Sequence, residues 1–184
     1  SNAHALARYS ALVQECGMVP IVEPEVLMDG DHSAEDCLHK TSEVIKKCFD
    51  ELSRHKVDLK GIILKPNMIL PGTNSSKKID TKKIAELTLK CLKVSVPAEV
   101  PGIAFLSGGQ SELDATRNLN SINLINDTNF NITYSYGRAL QQGALKFWSK
   151  NTEDIKGTQK IFSHRVKMCS LASSGKWSEN LEKN

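Results

Sequence analysis

Apolar positions along the chain follow two periods. Short apolar runs bounded by Gly or Pro fall at residues 18–22, 61–65, 102–106 and 132–136 and predict strands. Between them, apolar residues recur at spacings of three and four and predict amphipathic helices. The first covers about residues 4–16, with Leu6, Tyr9, Leu12 and Val13 on one face and Gly17 at its end. The second covers 33–55, with a stripe of Leu38, Thr41, Ile45, Cys48, Phe49 and Leu52. A third runs 81–94 behind Asp80 as N-cap and turns Ile84, Leu87, Cys91 and Leu92 inward. Ser111, with Asp114 three places on, caps a fourth that ends near 125. A fifth covers 138–148. Thr152 is the predicted cap of the last, to about 172, with Ile155, Phe162 and Cys169 facing in. The stretch 173–184 reads as a polar, mobile tail.

The predicted order is one helix, four strand–helix units and an extra helix. Unit starts lie roughly thirty to forty residues apart, the repeat of a (β/α) barrel. A barrel needs eight strands and the pattern supplies four. The α/β chain is therefore a small open sheet or half of a (β/α)8 TIM barrel with flanking helices. The pattern opens mid-unit, so the other half is expected upstream. Ser1-Asn2-Ala3 read as a scar of tag removal, leaving 4–172 as the domain.

Composition narrows the class. Hydrophobic residues at 40% and charged residues at 24% are ordinary for a soluble globular domain. A net charge of +3 is too small to point to nucleic acid, and the pairs Lys46-Lys47, Lys77-Lys78 and Lys82-Lys83 read as solvated faces. No apolar run has the length of a membrane span, so neither a membrane nor a nucleic acid is an expected partner. The 5 cysteines are scattered without a CxxC, which suits reduced core thiols in the cytoplasm. The 5 histidines show no HxH or HExxH grouping, so no protein-built metal centre and no cofactor are expected.

The strand at 61–65 ends on Lys65, with Pro66 directly after it. A lysine is seldom fully buried, and the proline ends the ladder. Lys65 is thus expected at the carboxyl end of its strand, the rim where α/β folds do chemistry. Desolvation disfavours an ammonium, and a neutral amine attacks carbonyls to give Schiff bases. Glu23 and Glu25 flank Pro24 at the end of the first strand; two residues apart on extended chain, they point the same way. They form either an acidic loop or a proton-transfer pair for imine chemistry. Ser107-Gly108-Gly109 ends the third strand, and Gly137-Arg138 ends the fourth. One such turn is only a turn. Two in adjacent units, each opening a helix and one carrying a guanidinium, suit a phosphate.

These residues resemble a known family. Val19-Pro20-Ile21-Val22-Glu23-Pro24-Glu25, Leu64-Lys65-Pro66-Asn67-Met68, Phe105-Leu106-Ser107-Gly108-Gly109-Gln110-Ser111, Asn118-Leu119-Asn120 and Ser135-Tyr136-Gly137-Arg138-Ala139-Leu140-Gln141 are similar to class I fructose-bisphosphate aldolase, in order and spacing, from about 4 to 175. The resemblance implies an eight-stranded barrel, a cytosolic glycolytic homotetramer and chemistry without a metal. It makes Lys65 the Schiff-base lysine, Glu23 its general acid/base and Glu25 a carboxylate supporting the lysine. Ser107, Gly108, Gly109, Ser135, Gly137 and Arg138 become the cradle for one phosphate of a sugar substrate. The protonated imine would accept electrons as the C3–C4 bond breaks, giving dihydroxyacetone phosphate and glyceraldehyde 3-phosphate. Cytoskeletal and adhesin partners are known for the family.

The chain departs from the family at both ends. The first four barrel strands are missing, with an aspartate and several basic residues that serve cleavage and the other phosphate. The family's terminal tyrosine is absent, since the chain closes on Leu181-Glu182-Lys183-Asn184. The expectation is a half-barrel that is weak or inactive alone. The alternative is a non-catalytic binding or structural fragment. Its two open sheet edges predict a dimer paired edge to edge.

Overall fold

Two prolines bound the first two strands in the computed structural model, which describes residues 1–183. Pro20 and Pro66 have no N–H to give a ladder, so the first two strands are shorter than the apolar runs around them. The helix α1 (Asn2–Glu15) leads to β1 (Ile21–Val22), and α2 (Ala34–Arg54) to β2 (Ile63–Leu64) through a single 3-10 turn, Leu59–Gly61. Single hydrogen bonds continue the pairing on each side: Ile63 N donates to Pro20 O at 3.1 Å and Lys65 N to Val22 O at 2.7 Å. Then follow α3 (Thr81–Ser95), β3 (Gly102–Phe105), α4 (Glu112–Leu124), β4 (Asn131–Tyr134), α5 (Arg138–Trp148) and α6 (Ile155–Ala172).

The four strands form one parallel sheet in the order β1-β2-β3-β4. Val22, Leu64, Ile103 and Ile132 stand in one register row, and all four are buried under the helices. The row before it turns the other way. There Ile21 is 43% exposed, and Asn131 is exposed as well. Because side chains alternate, the residues after Val22 and Leu64 return to that open side. Those residues are Glu23 and Lys65. A parallel sheet normally has both faces covered. Helices that follow one another along one face of a parallel sheet are the wall of a TIM-type barrel, and this chain builds four strands of it.

Apart from half-buried Leu38, the stripes predicted for α2 and α3 are buried, and Asp80 caps α3, accepting Lys83 N at 2.7 Å. Ser33 and Asp36 close a full capping box on α2. Ser111 accepts Asp114 N at 3.0 Å as expected. Four cysteines are buried free thiols, but Cys16 is exposed.

Several expectations are corrected. Tyr9 and Leu12 on α1 are exposed; the helix instead buries Ala7 and Ser10, whose small side chains allow close approach to α2. Helix α1 also begins at Asn2, inside the three residues set aside above. On α6 the cap is Asp154, not Thr152: its Oδ1 accepts Gly157 N at 2.8 Å. Ile155 (62% exposed) and Phe162 lie outside the core, because α6 buries only its second half, through Met168, Cys169 and Ala172.

The tail is not loose. Trp177 is buried, its backbone N donates to Asn120 Oδ1 at 3.0 Å, and a 3-10 segment spans Glu179–Lys183. Arg165 grips Glu182 with two hydrogen bonds of 3.0 and 2.8 Å, and Trp177 Nε1 donates to the same carboxylate at 2.8 Å. Asn184, the end of the predicted tail, lies outside the described residues.

Candidate active site

Lys65 occupies the carboxyl rim of β2, one residue past the last paired residue. Its side chain is 19% exposed, and its Nζ stands 3.0 Å from Glu23 Oε1. Glu23 holds the equivalent place after β1, the neighbouring strand. The two meet because Val22 and Leu64 share a register row and the next residue of each turns to the open face. Glu25 is exposed on the same loop and makes no ion pair among the described residues. With Glu23 it lines a cleft of about 710 Å³ against the start of α1 and the middle of α2. So the amine has one carboxylate in contact and a second nearby in sequence.

Asn67, quoted above only as part of a motif, fixes this arrangement. It is buried; its Oδ1 accepts Val26 N at 3.1 Å, and its Nδ2 donates to Thr41 Oγ1 at 3.0 Å and Met68 O at 3.1 Å. The amide thus ties the chain just after Glu25 to the chain just after Lys65. A polar residue directly behind the rim lysine, in an otherwise apolar run through Leu70, was the signal in the sequence.

The rims of β3 and β4 adjoin. Ser135 N donates to Phe105 O at 2.9 Å, which carries the β3–β4 ladder up to Ser107 and Gly137. Gly108 and Gly109 have φ of +27° and +72° and turn the chain back so that Gln110 N reaches Ser107 O at 2.9 Å. Asn118 holds this turn from α4, donating to Gln110 Oε1 at 2.7 Å. Tyr136 lies between Ser135 and Gly137 and is buried; burial pushes its phenol well above its ordinary pKa, and its hydroxyl donates to Ala115 O at 3.0 Å. With Tyr136 pinned inward, Gly137 and Arg138 stay exposed, and Arg138 makes no ion pair among the described residues.

Gly108 and Gly109 also line a cleft of about 580 Å³ with Thr73 and Lys78 of the β2–α3 loop and Arg117 of α4. Ser107, Ser135 and Arg138 do not line it. The rim therefore offers backbone and hydroxyl donors plus one unpaired guanidinium along adjacent strand ends, beside a lysine–glutamate pair. Such a rim suits covalent capture of a carbonyl carried by an anionic molecule.

A parallel sheet with its helices along one face, and a lysine and a carboxylate at its carboxyl rim, defines four strands of a TIM-type α/β fold. The family model described as fructose-bisphosphate aldolase class-I, glycolytic, matches residues 1–184, and the chain belongs to that family. It is 49% identical over 175 residues to the cytosolic fructose-bisphosphate aldolase 4 of Arabidopsis thaliana, covering 95% of this chain and 44% of that protein. It is 43% identical over 176 residues to the fructose-bisphosphate aldolase of Dictyostelium discoideum, covering 96% and 49%. A fructose-bisphosphate aldolase from Plasmodium falciparum, solved in complex with TRAP and a small-molecule inhibitor, superposes with a TM-score of 0.93 at 42% identity, over 96% of this chain and 51% of that one. The chain spans about half the length of the relatives it matches. No helix among the described residues is long and apolar enough to cross a membrane.

Proposed function

We propose that this chain supplies the imine-forming half of a class I aldolase site acting in cytosolic glycolysis on fructose 1,6-bisphosphate. The observation that carries the reading is the 3.0 Å contact between Lys65 Nζ and Glu23 Oε1 at neighbouring strand ends. Lys65 as free amine attacks the ketone carbon of the sugar. Glu23 delivers a proton to the oxygen as the carbinolamine loses water, leaving a protonated imine. The C3–C4 bond then breaks, its electron pair moves toward the iminium nitrogen, and the C4 hydroxyl loses its proton as glyceraldehyde 3-phosphate leaves. Protonation of the enamine and addition of water return dihydroxyacetone phosphate and Lys65. Glu25 supports the charge balance around the amine. Ser107, Gly108, Gly109, Ser135, Gly137 and Arg138 hold one phosphate.

No residue of this chain is assigned the proton of the C4 hydroxyl. Alone, it is therefore expected to form the imine and to cleave weakly or not at all. Incubation with dihydroxyacetone phosphate, reduction with borohydride and digestion should place the label on Lys65; a label on another lysine overturns the reading. A second reading, a binding module without catalysis, is favoured by the Plasmodium falciparum relative in complex with TRAP. Measurable cleavage of fructose 1,6-bisphosphate by this chain alone would argue against it.

A further inference from the structure

Helices α1 and α2 lie side by side and run the same way, since His4 meets Glu51 while Gln14, further along, meets Asp58. Their contact brings together three groups that the linear pattern did not reveal. The ligand atoms of His4, Glu51 and His55 all lie within 4.8 Å of one another. His4 Nδ1 is 3.4 Å from Glu51 Oε2, and the two imidazole centroids are 4.8 Å apart, edge to face.

We propose that His4, Glu51 and His55 bind one late first-row transition ion, Zn²⁺ above all, at the outer helix layer. The donor set is the first argument. Two imidazoles and one carboxylate suit zinc or cobalt, whereas calcium and magnesium prefer all-oxygen sites. Spacing is the second. With metal–ligand bonds of about 2.0–2.2 Å, two ligands at a tetrahedral angle stand roughly 3.4 Å apart. The His4–Glu51 separation matches that figure and is long for a hydrogen bond.

Support behind the ligands is the third argument. His55 Nδ1 lies 2.9 Å from Glu51 O, the partner of an N–H donor, and this leaves Nε2 as the lone-pair atom. Glu51 is buried, and Lys47 Nζ and Arg54 Nη1 stand 3.9 and 2.7 Å from its Oε1. Arg54 Nη1 takes Oε1 at 2.7 Å, so Glu51 offers one oxygen, Oε2, and water fills the fourth position. The His4 side chain is 53% exposed, which leaves its ring free to swing in and close the remaining gap.

The site lies on the helix layer, at the start of α1. Helix α2 ends there and the chain turns into β2. The ion would clamp the first turn of α1 onto the last turn of α2.

Cobalt(II) reports the test, because a tetrahedral ion absorbs visible light strongly. The chain, kept reduced, is titrated with Co²⁺ and then with Zn²⁺ in competition. Saturation at one ion per chain is expected, with Zn²⁺ displacing Co²⁺ and raising the unfolding midpoint by roughly 5–10 °C at a hundredfold excess over Kd. H4A and H55A should each weaken binding at least tenfold. C16S should bind as the parent does, since Cys16 is the exposed thiol. His4 is a surface side chain, so H4A decides the matter even where H55A does not fold. Absence of stoichiometric Co²⁺ binding, unchanged affinity in H4A, or loss of binding in C16S overturns the proposal.

Discussion

Glu23 Oε1 lies 3.0 Å from Lys65 Nζ, each one residue beyond the end of its strand. Adjacent parallel strands in register place their next residues side by side, so this pair follows from the register of Val22 with Leu64. If Glu23 moves the protons of imine formation, Glu23→Gln should slow borohydride trapping of dihydroxyacetone phosphate by about 10²–10⁴ while leaving the label on the same lysine. Lys65→Arg should abolish it, because a guanidinium is not a nucleophile at working pH. Trapping by Glu23→Gln at the parent rate would remove Glu23 from the mechanism.

Asn67 links the two rim loops from inside the core. Asn67→Ala would leave Val26 N, Thr41 Oγ1 and Met68 O without their partner. Each buried group left unsatisfied costs about 1–3 kcal/mol, and some of these will rearrange. A loss of roughly 2–4 kcal/mol in urea unfolding is expected. Trapping at Lys65 should also slow, since the Glu23 loop loses its tether. A variant as stable as the parent would show that the tether is dispensable.

What the amino-acid pattern told and what it withheld divide along a physical line. The helices α2 and α3, the rim position of Lys65 and the turn at Gly108-Gly109 were legible, because burial period, a proline stop and glycine each act locally. The exposure of Tyr9, Leu12, Ile155 and Phe162 was not. An apolar stripe states that a face can be buried, and it does not state that a neighbour covers it. The docked tail was missed because its anchors, Asn120 and Arg165, lie far back in the chain. The meeting of His4 with Glu51 and His55 was missed for the same reason: it needs two helices to be laid side by side.

The tail supplies a pH prediction. Burial pushes Glu182 up, but Arg165, Trp177 and His164 outweigh it and hold its carboxyl below the usual 4.5. A carboxylate depressed in the folded state contributes stability that is complete above the unfolded pKa and is lost as pH falls through the folded one. Docking of 177–183 should therefore be full above the ordinary carboxyl value of 4.5 and be lost progressively as pH falls below it. Trp177 fluorescence should report this, shifting to the red as the ring becomes wet. Glu182→Gln should flatten the transition and leave the tail looser at neutral pH. A fluorescence titration identical in the parent and in Glu182→Gln would contradict this account.

Sheet edges give the last prediction. Strands β1 and β4 each have one hydrogen-bonded neighbour among the described residues, and Ile21 on the open face is 43% exposed. Unpaired parallel edges seek a partner strand, and an apolar face beside them adds a driving force. For this chain on its own, a second copy related by a two-fold axis would set β4 of each beside β1 of the other. Both seams would then be parallel and the eight strands would close into a barrel, with Ile21 inside it. Light scattering should give twice the mass of one chain at micromolar concentration. Ile21→Lys would place a charge in that closed interior and should shift the equilibrium toward monomer, while the helix-covered core, through Val22 and Leu64, stays intact. A monodisperse monomer for the parent chain would rule out the closed pair.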